Sequence, residues 1–264
     1  MLWIAAYALV GAAVGFLAGL LGIGGGMTLV PVLAALFSAQ HVVPEHTVHL
    51  ALGTAMASVV FTSSASVREH HRLGGVDWSV VARMAPGMVA GSLASALASG
   101  WIPQRALALA FAAIVYVGAT QILLGRKPAA ARGLPGALPL TAAGLAIGVI
   151  CGLVSAGGAF LTVPFLLTCN VPMRTAIGTA AALGIPVAAL GSVGFVASGW
   201  AVPGLPPHSA GFVVLPALAA VVLGSTATAR FGARAAHRLP VVALRRVFAL
   251  LLYALATKMA LTYW

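Results

Sequence analysis

The chain has 264 residues, of which 61% are apolar and only 6% are charged, against about 25% charged residues in ordinary soluble domains. Its mean hydropathy is +1.08, and its apolar residues fall in long runs that leave no polar face for water. These values exclude a soluble globule and predict an integral membrane protein. The formal net charge of +11 comes from basic residues that punctuate apolar runs, so nucleic-acid binding is also excluded.

Apolar segments long enough to cross a bilayer predict about eight transmembrane helices in an all-α membrane fold. Helices are expected because the even alternation of a transmembrane barrel is absent. Two segments exceed one straight crossing, and each is interrupted by a glycine cluster. In chain order the segments cover residues 3–37, 47–66, 77–98, 104–124, 138–168, 175–198, 208–229 and 243–262.

The sequence contains two copies of one unit. Residues 15–31 (GFLAGLLGIGGGMTLVP) recur as 148–164 (GVICGLVSAGGAFLTVP), and residues 52–55 (LGTA) recur as 177–180 (IGTA). Internal repetition on this scale is typical of transporters. The predicted organisation is a first membrane repeat at 1–124, a cytoplasmic linker at 125–137 and a second membrane repeat at 138–264.

The positions of the basic residues predict that the two copies are inverted. Segments 67–75, 125–137 and 230–246 hold most of the Lys and Arg residues and are predicted to be cytoplasmic loops. Loops 98–104 and 199–207 contain no Lys or Arg and are predicted to lie outside.

This orientation requires each over-long segment to turn back at its glycine cluster, at residues 22–26 and 155–159. The stretches that follow, 27–37 and 160–168, are short for a full crossing. Crossing and re-entry as half-helices both stay open at this stage.

The glycine clusters predict breaks in the helices, since each glycine costs about 1 kcal/mol relative to alanine in a helix. The helices after the breaks would begin with free N–H groups, at Met27–Thr28 and Phe160–Leu161, and would attract an anion. The four-residue glycine spacings that start at Gly15 and Gly148 favour close helix packing instead. The predicted substrate-binding residues are Gly24, Gly25, Gly26, Met27, Thr28, Thr54, Gly157, Gly158, Phe160 and Thr179.

The glycine cluster at 19–31, the LGT step at 52–54 and the segment HRLGGVDW at 71–78 resemble the TauE/SafE sulfite exporter family of membrane permeases. The resemblance covers essentially the whole chain, although Ser155 and Ala159 replace two glycines in the second copy. It implies a secondary transporter that moves a small, often sulfur-containing anion, such as sulfite or a sulfonate, by alternating access across the plasma membrane, which is the inner membrane if the organism is a Gram-negative bacterium. The implied partners are this anion and the surrounding lipid, with no cofactor and no enzymatic activity, and self-association stays open.

Two charged residues are further candidates for the transport path or for ion coupling. Asp77 precedes an apolar segment and is predicted to cap a helix, with proton coupling as the alternative. Arg83 is predicted to extend towards the cytoplasmic surface, with a place along the anion path as the alternative.

Two other functions are weighed against anion transport. A metal-cation carrier would use the histidines and glutamate between His41 and His49, which have no copy in the second half. A membrane-embedded enzyme would use Ser155 or a histidine, but the chain contains no recognisable catalytic motif. No metal site and no catalytic residue are therefore predicted.

Overall fold

The computed structural model describes residues 2–21, 25–124, 133–236 and 241–264, and its regular structure is almost entirely helical. A two-stranded antiparallel hairpin, β1 (Ser209–Ala210) and β2 (Val213–Val214), precedes the ninth helix. The described helices are α1 (Leu2–Leu21), α2 (Gly26–Ala39), α3 (Thr47–Arg72), α4 (Trp78–Ser99), α5 (Gln104–Leu124), α6 (Ala137–Val154), α7 (Ala159–Thr168), α8 (Met173–Gly199), α9 (Leu215–Ala236) and α10 (Val241–Tyr263).

Within the described residues, six helices are long and apolar enough to cross a membrane, namely α3, α4, α5, α6, α8 and α10. A helix makes most of its backbone hydrogen bonds internally, which suits it to lipid. The prediction of an all-α, multi-pass membrane protein is confirmed. The number of crossings and the inverted orientation of the two halves stay predictions.

Each over-long apolar segment consists of two helices, as predicted. Helix α6 ends at Val154, Ser155 adopts a left-handed conformation (φ 51°), and α7 begins at Ala159. In the first half α1 ends at Leu21 and α2 begins at Gly26. With 14 and 10 residues, α2 and α7 are about 21 and 15 Å long, shorter than the roughly 30 Å of a bilayer core.

The long helices α3 and α8 form an antiparallel pair at the centre of the fold. Their contacts run in opposite order along the two helices and extend over most of their length. The contacting pairs are Gly53 with Phe195, Met56 with Gly191, Ser63 with Gly184, and His70 with Gly178.

Glycine seams join helices from different halves of the chain. Helix α1 packs mainly along α9, and α6 packs along α4. A Cβ on Gly15 would overlap the backbone of Ser225, and a Cβ on Gly148 would overlap the backbone of Met88. Gly15 and Gly148 therefore allow close helix packing, as their four-residue spacing predicts. Each seam pairs the first helix of one half (α1 or α6) with the fourth helix of the other half (α9 or α4). Two related repeats would produce this arrangement.

Helix α3 is longer than its apolar segment predicts. The expected loop 67–75 is helical up to Arg72, so Arg68, His70 and His71 lie on its last turns. The apolar run ends before the helix does because polar residues can continue a helix once it leaves the hydrocarbon core.

The expected loop 230–246 is also largely helical, because α9 extends to Ala236 and α10 begins at Val241. Arg238 and residues 125–132 of the predicted linker lie outside the described residues.

The predicted span 208–229 is wrong at its start. Helix α9 begins only at Leu215, because residues 209–214 form the hairpin. Phe212 and Val213 are apolar and buried, although they are not part of a membrane helix. Their hydropathy therefore indicates burial against α3 and α8 instead of contact with lipid.

Replacement of Gly148 by alanine should destabilise the protein by about 1–3 kcal/mol, because the new methyl group would overlap the backbone of Met88. The measurement is thermal unfolding of the purified protein in detergent. Gly133→Ala is the matched control, since nothing lies within 4 Å of a Cβ at that position. Equal unfolding midpoints for the two variants would contradict the tight α4–α6 seam.

Candidate functional site

The two helix breaks meet near the middle of the α3–α8 pair. A Cβ on Gly26 would overlap the carbonyl oxygen of Ser155, so the backbones of the two breaks are in direct contact. A Cβ on Gly157 would lie 2.9 Å from the side chain of Val59, and one on Gly184 would lie 2.8 Å from the carbonyl oxygen of Gly157. Segments far apart in sequence therefore form one buried cluster.

The first break leaves the N-terminus of α2 without a side-chain cap. Gly25 is the N-cap residue, and its carbonyl oxygen accepts hydrogen bonds from the N–H of Leu29 at 2.9 Å and of Thr28 at 3.3 Å. The Thr28 hydroxyl donates to the same oxygen at 2.9 Å. The prediction of a free N–H at Thr28 is wrong, because this N–H donates to the carbonyl oxygen of Gly25. The residues three and four positions before Gly26 and Met27, whose carbonyl groups would accept their N–H groups, lie outside the described residues.

The second break likewise leaves the N-terminus of α7 without a side-chain cap. Gly158 is the N-cap residue, with no side-chain cap and with φ 81°, a conformation that favours glycine. Its carbonyl oxygen accepts from the N–H of Leu161 at 3.2 Å and of Thr162 at 2.9 Å. The expected free N–H at Leu161 is therefore bonded. Within the described part of the chain, Ala159 and Phe160 are the residues whose N–H groups lack a backbone acceptor.

The surroundings of the breaks favour an anion. Free N–H groups at a helix start and the positive end of the helix dipole both attract negative charge. The three acidic residues of the chain lie elsewhere: Glu45 is exposed before α3, Glu69 is on the last turns of α3, and Asp77 caps α4. No carboxylate of the protein therefore occupies the two helix starts.

In this conformation the two helix breaks are closed to solvent. Residues 25–28 and 155–160 are buried, and the Ser155 hydroxyl donates to the carbonyl oxygen of Leu52 at 2.8 Å. Two cavities of the described structure lie elsewhere. One of about 110 Å³ is lined by residues between Ser38 and Thr47 and by Tyr263, and one of about 350 Å³ is lined by residues between Trp200 and Gly211.

Thr54 and Thr179, predicted to bind substrate, each accept a hydrogen bond from a backbone group outside the two breaks. Both side chains are fully buried. The Thr54 hydroxyl oxygen accepts the N–H of Val214 at 3.0 Å, and the Thr179 hydroxyl oxygen accepts the N–H of Asp77 at 3.0 Å. Their LGT and IGT steps therefore hold backbone segments in place. The repeat identified them, but the sequence does not indicate which backbone group each would contact.

The other residues predicted for the binding site or the transport path lie in different parts of the structure. Asp77 caps α4 as predicted, with its carboxylate accepting from the N–H groups of Ser79 and Val80. Arg83 is exposed on α4, away from the breaks. The ring of Phe160 packs against Gly118 of α5, so only its backbone faces the break. Gly24 lies outside the described residues.

Three residues of the cluster were missed by the sequence reasoning, namely Val59, Ser63 and Gly184. They lie on α3 and α8, where the helices contact the breaks. Ser63 is a polar residue that is only 8% exposed. Its polarity in the interior of a membrane segment is a signal that could have identified it from the sequence.

The histidines near the start of α3 are held by structural contacts. Nε2 of His49 donates to the carbonyl oxygens of Ser99 at 3.0 Å and Ile102 at 3.1 Å. The rings of His46 and His49 both pack against Phe212. The described residues contain no group of three His, Cys, Asp or Glu side chains able to hold a metal ion.

A helical membrane body with paired helix breaks is typical of membrane transporters. The chain belongs to the sulfite exporter TauE/SafE family, whose model matches residues 7–259. It is 35% identical to a probable membrane transporter protein of Haemophilus influenzae, over 96% of each chain. It is 27% identical to the probable membrane transporter protein YdhB of Bacillus subtilis, over 88% of this chain and 89% of the relative. No solved structure matches the chain.

Proposed function

We propose that the protein is a secondary transporter for a small, sulfur-containing anion of the sulfite or sulfonate type, located in the plasma membrane and working by alternating access. The observation that carries the proposal is the contact between Gly26 and Ser155, which brings two uncapped helix starts to one buried place. The description of the family, sulfite exporter, supports the choice of anion.

The chemistry of the two helix starts suits this class of substrate. Sulfite and sulfonates share a head group of three oxygens on sulfur, all of which accept hydrogen bonds. The N–H groups of Ala159 and Phe160 lack backbone acceptors among the described residues. They and the start of α2 would approach such a head group from both halves. The main-chain donors of the two halves would lie on opposite sides of the anion. Binding therefore requires both halves of the protein to contact it.

Binding by main-chain N–H groups also allows release. The site has no arginine or lysine among the residues that form the breaks, so the anion is held by partial charges instead of a buried ion pair. A transporter needs affinity sufficient for capture and weak enough for release on the other side. Helix starts provide this balance, because each contributes up to about 2 kcal/mol in a partly buried geometry.

The first test measures uptake of radiolabelled sulfite into proteoliposomes, together with competition by unlabelled anions. We expect sulfite and small sulfonates to compete with the labelled substrate, because they share its head group. Zinc should not be transported. Uptake of zinc without any uptake of sulfite or sulfonates would favour the metal-carrier alternative and contradict the proposal.

The second test replaces Gly26 by alanine. We expect uptake to fall at least about tenfold, because the methyl group would overlap the Ser155 carbonyl oxygen and separate the breaks. Gly133→Ala again serves as the control, and the amount of protein and its elution profile are matched. Undiminished transport by a folded Gly26→Ala variant would remove the breaks from the mechanism.

A further inference from the structure

Two glycine–threonine steps hold backbone segments at equivalent places in the two halves. In the first clasp, formed by Gly53, Thr54, Phe212 and Val214, Thr54 accepts the N–H of Val214 at 3.0 Å. A Cβ on Gly53 would overlap the carbonyl oxygen of Phe212. The absence of a side chain at Gly53 therefore allows the hairpin segment to lie directly on α3.

The second clasp is formed by Gly178, Thr179, Gly75 and Asp77. Thr179 accepts the N–H of Asp77 at 3.0 Å, and a Cβ on Gly178 would overlap the carbonyl oxygen of Gly75. In both clasps the glycine contacts a carbonyl group two residues before the N–H that the threonine binds. Each clasp joins a long helix of one half to the segment that precedes the fourth helix of the other half.

The two clasps lie towards opposite ends of the region in which α3 contacts the breaks. Because α3 and α8 are antiparallel, Gly178 lies at the level of His70. Residues 54 and 70 of α3 are therefore about 24 Å apart along the helix axis. The breaks contact α3 at Leu52, through the Ser155 hydroxyl, and at Val59 and Ser63. The first clasp is therefore next to the Ser155 end of the breaks, and the second clasp is about two helix turns beyond Ser63.

Each clasp also fixes a helix that is packed against one leading into a break. The first clasp holds the start of α9, which packs along α1, and α1 leads to the first break. The second clasp holds the start of α4, which packs along α6, and α6 ends next to Ser155. Release of one clasp would therefore free one packed helix pair together with one break.

We propose that the two clasps are the gates of the transporter, with Thr54 and Thr179 as positioning residues that each close one side of the site. This inference rests on the proposed function. The second clasp lies at the end of α3 that carries Arg68 and Arg72, so the positive-inside rule makes it the cytoplasmic gate. The first clasp is then the outer gate. Alternating access requires that they open one at a time.

The test uses a single reporter cysteine between the gates, Ser63→Cys, in a protein whose native Cys151 and Cys169 are replaced by alanine. A membrane-impermeant thiol reagent is applied to right-side-out and to inside-out vesicles, and the rate of labelling is measured without substrate. Thr54→Val and Thr179→Val are then added separately. Valine keeps the shape of threonine but leaves the N–H of Val214 or Asp77 without its partner when the gate is closed.

We expect Thr54→Val to raise the labelling rate from the outside about three- to tenfold and not from the inside. Thr179→Val should raise it by a similar factor from the inside only. These factors correspond to the loss of one buried hydrogen bond that exists only in the closed state. Thr54→Ser and Thr179→Ser, which retain the hydroxyl, should label like the parent protein.

Equal changes on both sides, or no change on either side, would overturn the inference, since a purely structural role has no sidedness. If a valine variant does not fold, Thr54→Ala and Thr179→Ala remove the same hydroxyls with less bulk. The labelling needs no substrate, so it separates the two proposals. Sided labelling without sulfite transport would contradict only the substrate class, and sulfite transport without sided labelling would contradict only the gates.

Discussion

The structure depends on one constraint, which is that backbone N–H and C=O groups inside a membrane must have partners. A helix that stops in the middle of the bilayer leaves N–H groups unsatisfied at its successor's start. In this protein both interrupted segments bring those starts to the same buried place, where Gly26 lies against Ser155. Helices α3 and α8 contact the breaks and help to separate them from lipid.

Glycine has three separate roles in this arrangement. At Gly158 it adopts a positive φ that lets the chain turn into α7. At Gly15 and Gly148 it allows helices to pack backbone to backbone. At Gly53 and Gly178 it lets a long helix contact an extended segment of the other half. Helix association in lipid lacks a strong hydrophobic driving force, so such close contacts are a main source of stability.

The sequence predicted much of the fold and only part of the site. Apolar length and glycine clusters located the helices and both breaks, because lipid imposes these requirements on every spanning segment. The roles of Thr54 and Thr179 could not be predicted, since each binds a backbone group more than one hundred residues away. The hairpin before α9 was mistaken for membrane helix because hydropathy does not distinguish burial in protein from burial in lipid. Ser63 was missed because its significance comes from contact with the breaks.

The central claim is that one anion binds between the starts of α2 and α7. Selenite has the shape and charge of sulfite, and its selenium atom can be located by anomalous X-ray scattering. Crystals of the protein with selenite should therefore show a selenium peak within reach of the N–H groups of Met27 and Phe160. A selenium site elsewhere in the membrane region, with none between the breaks, would contradict this account.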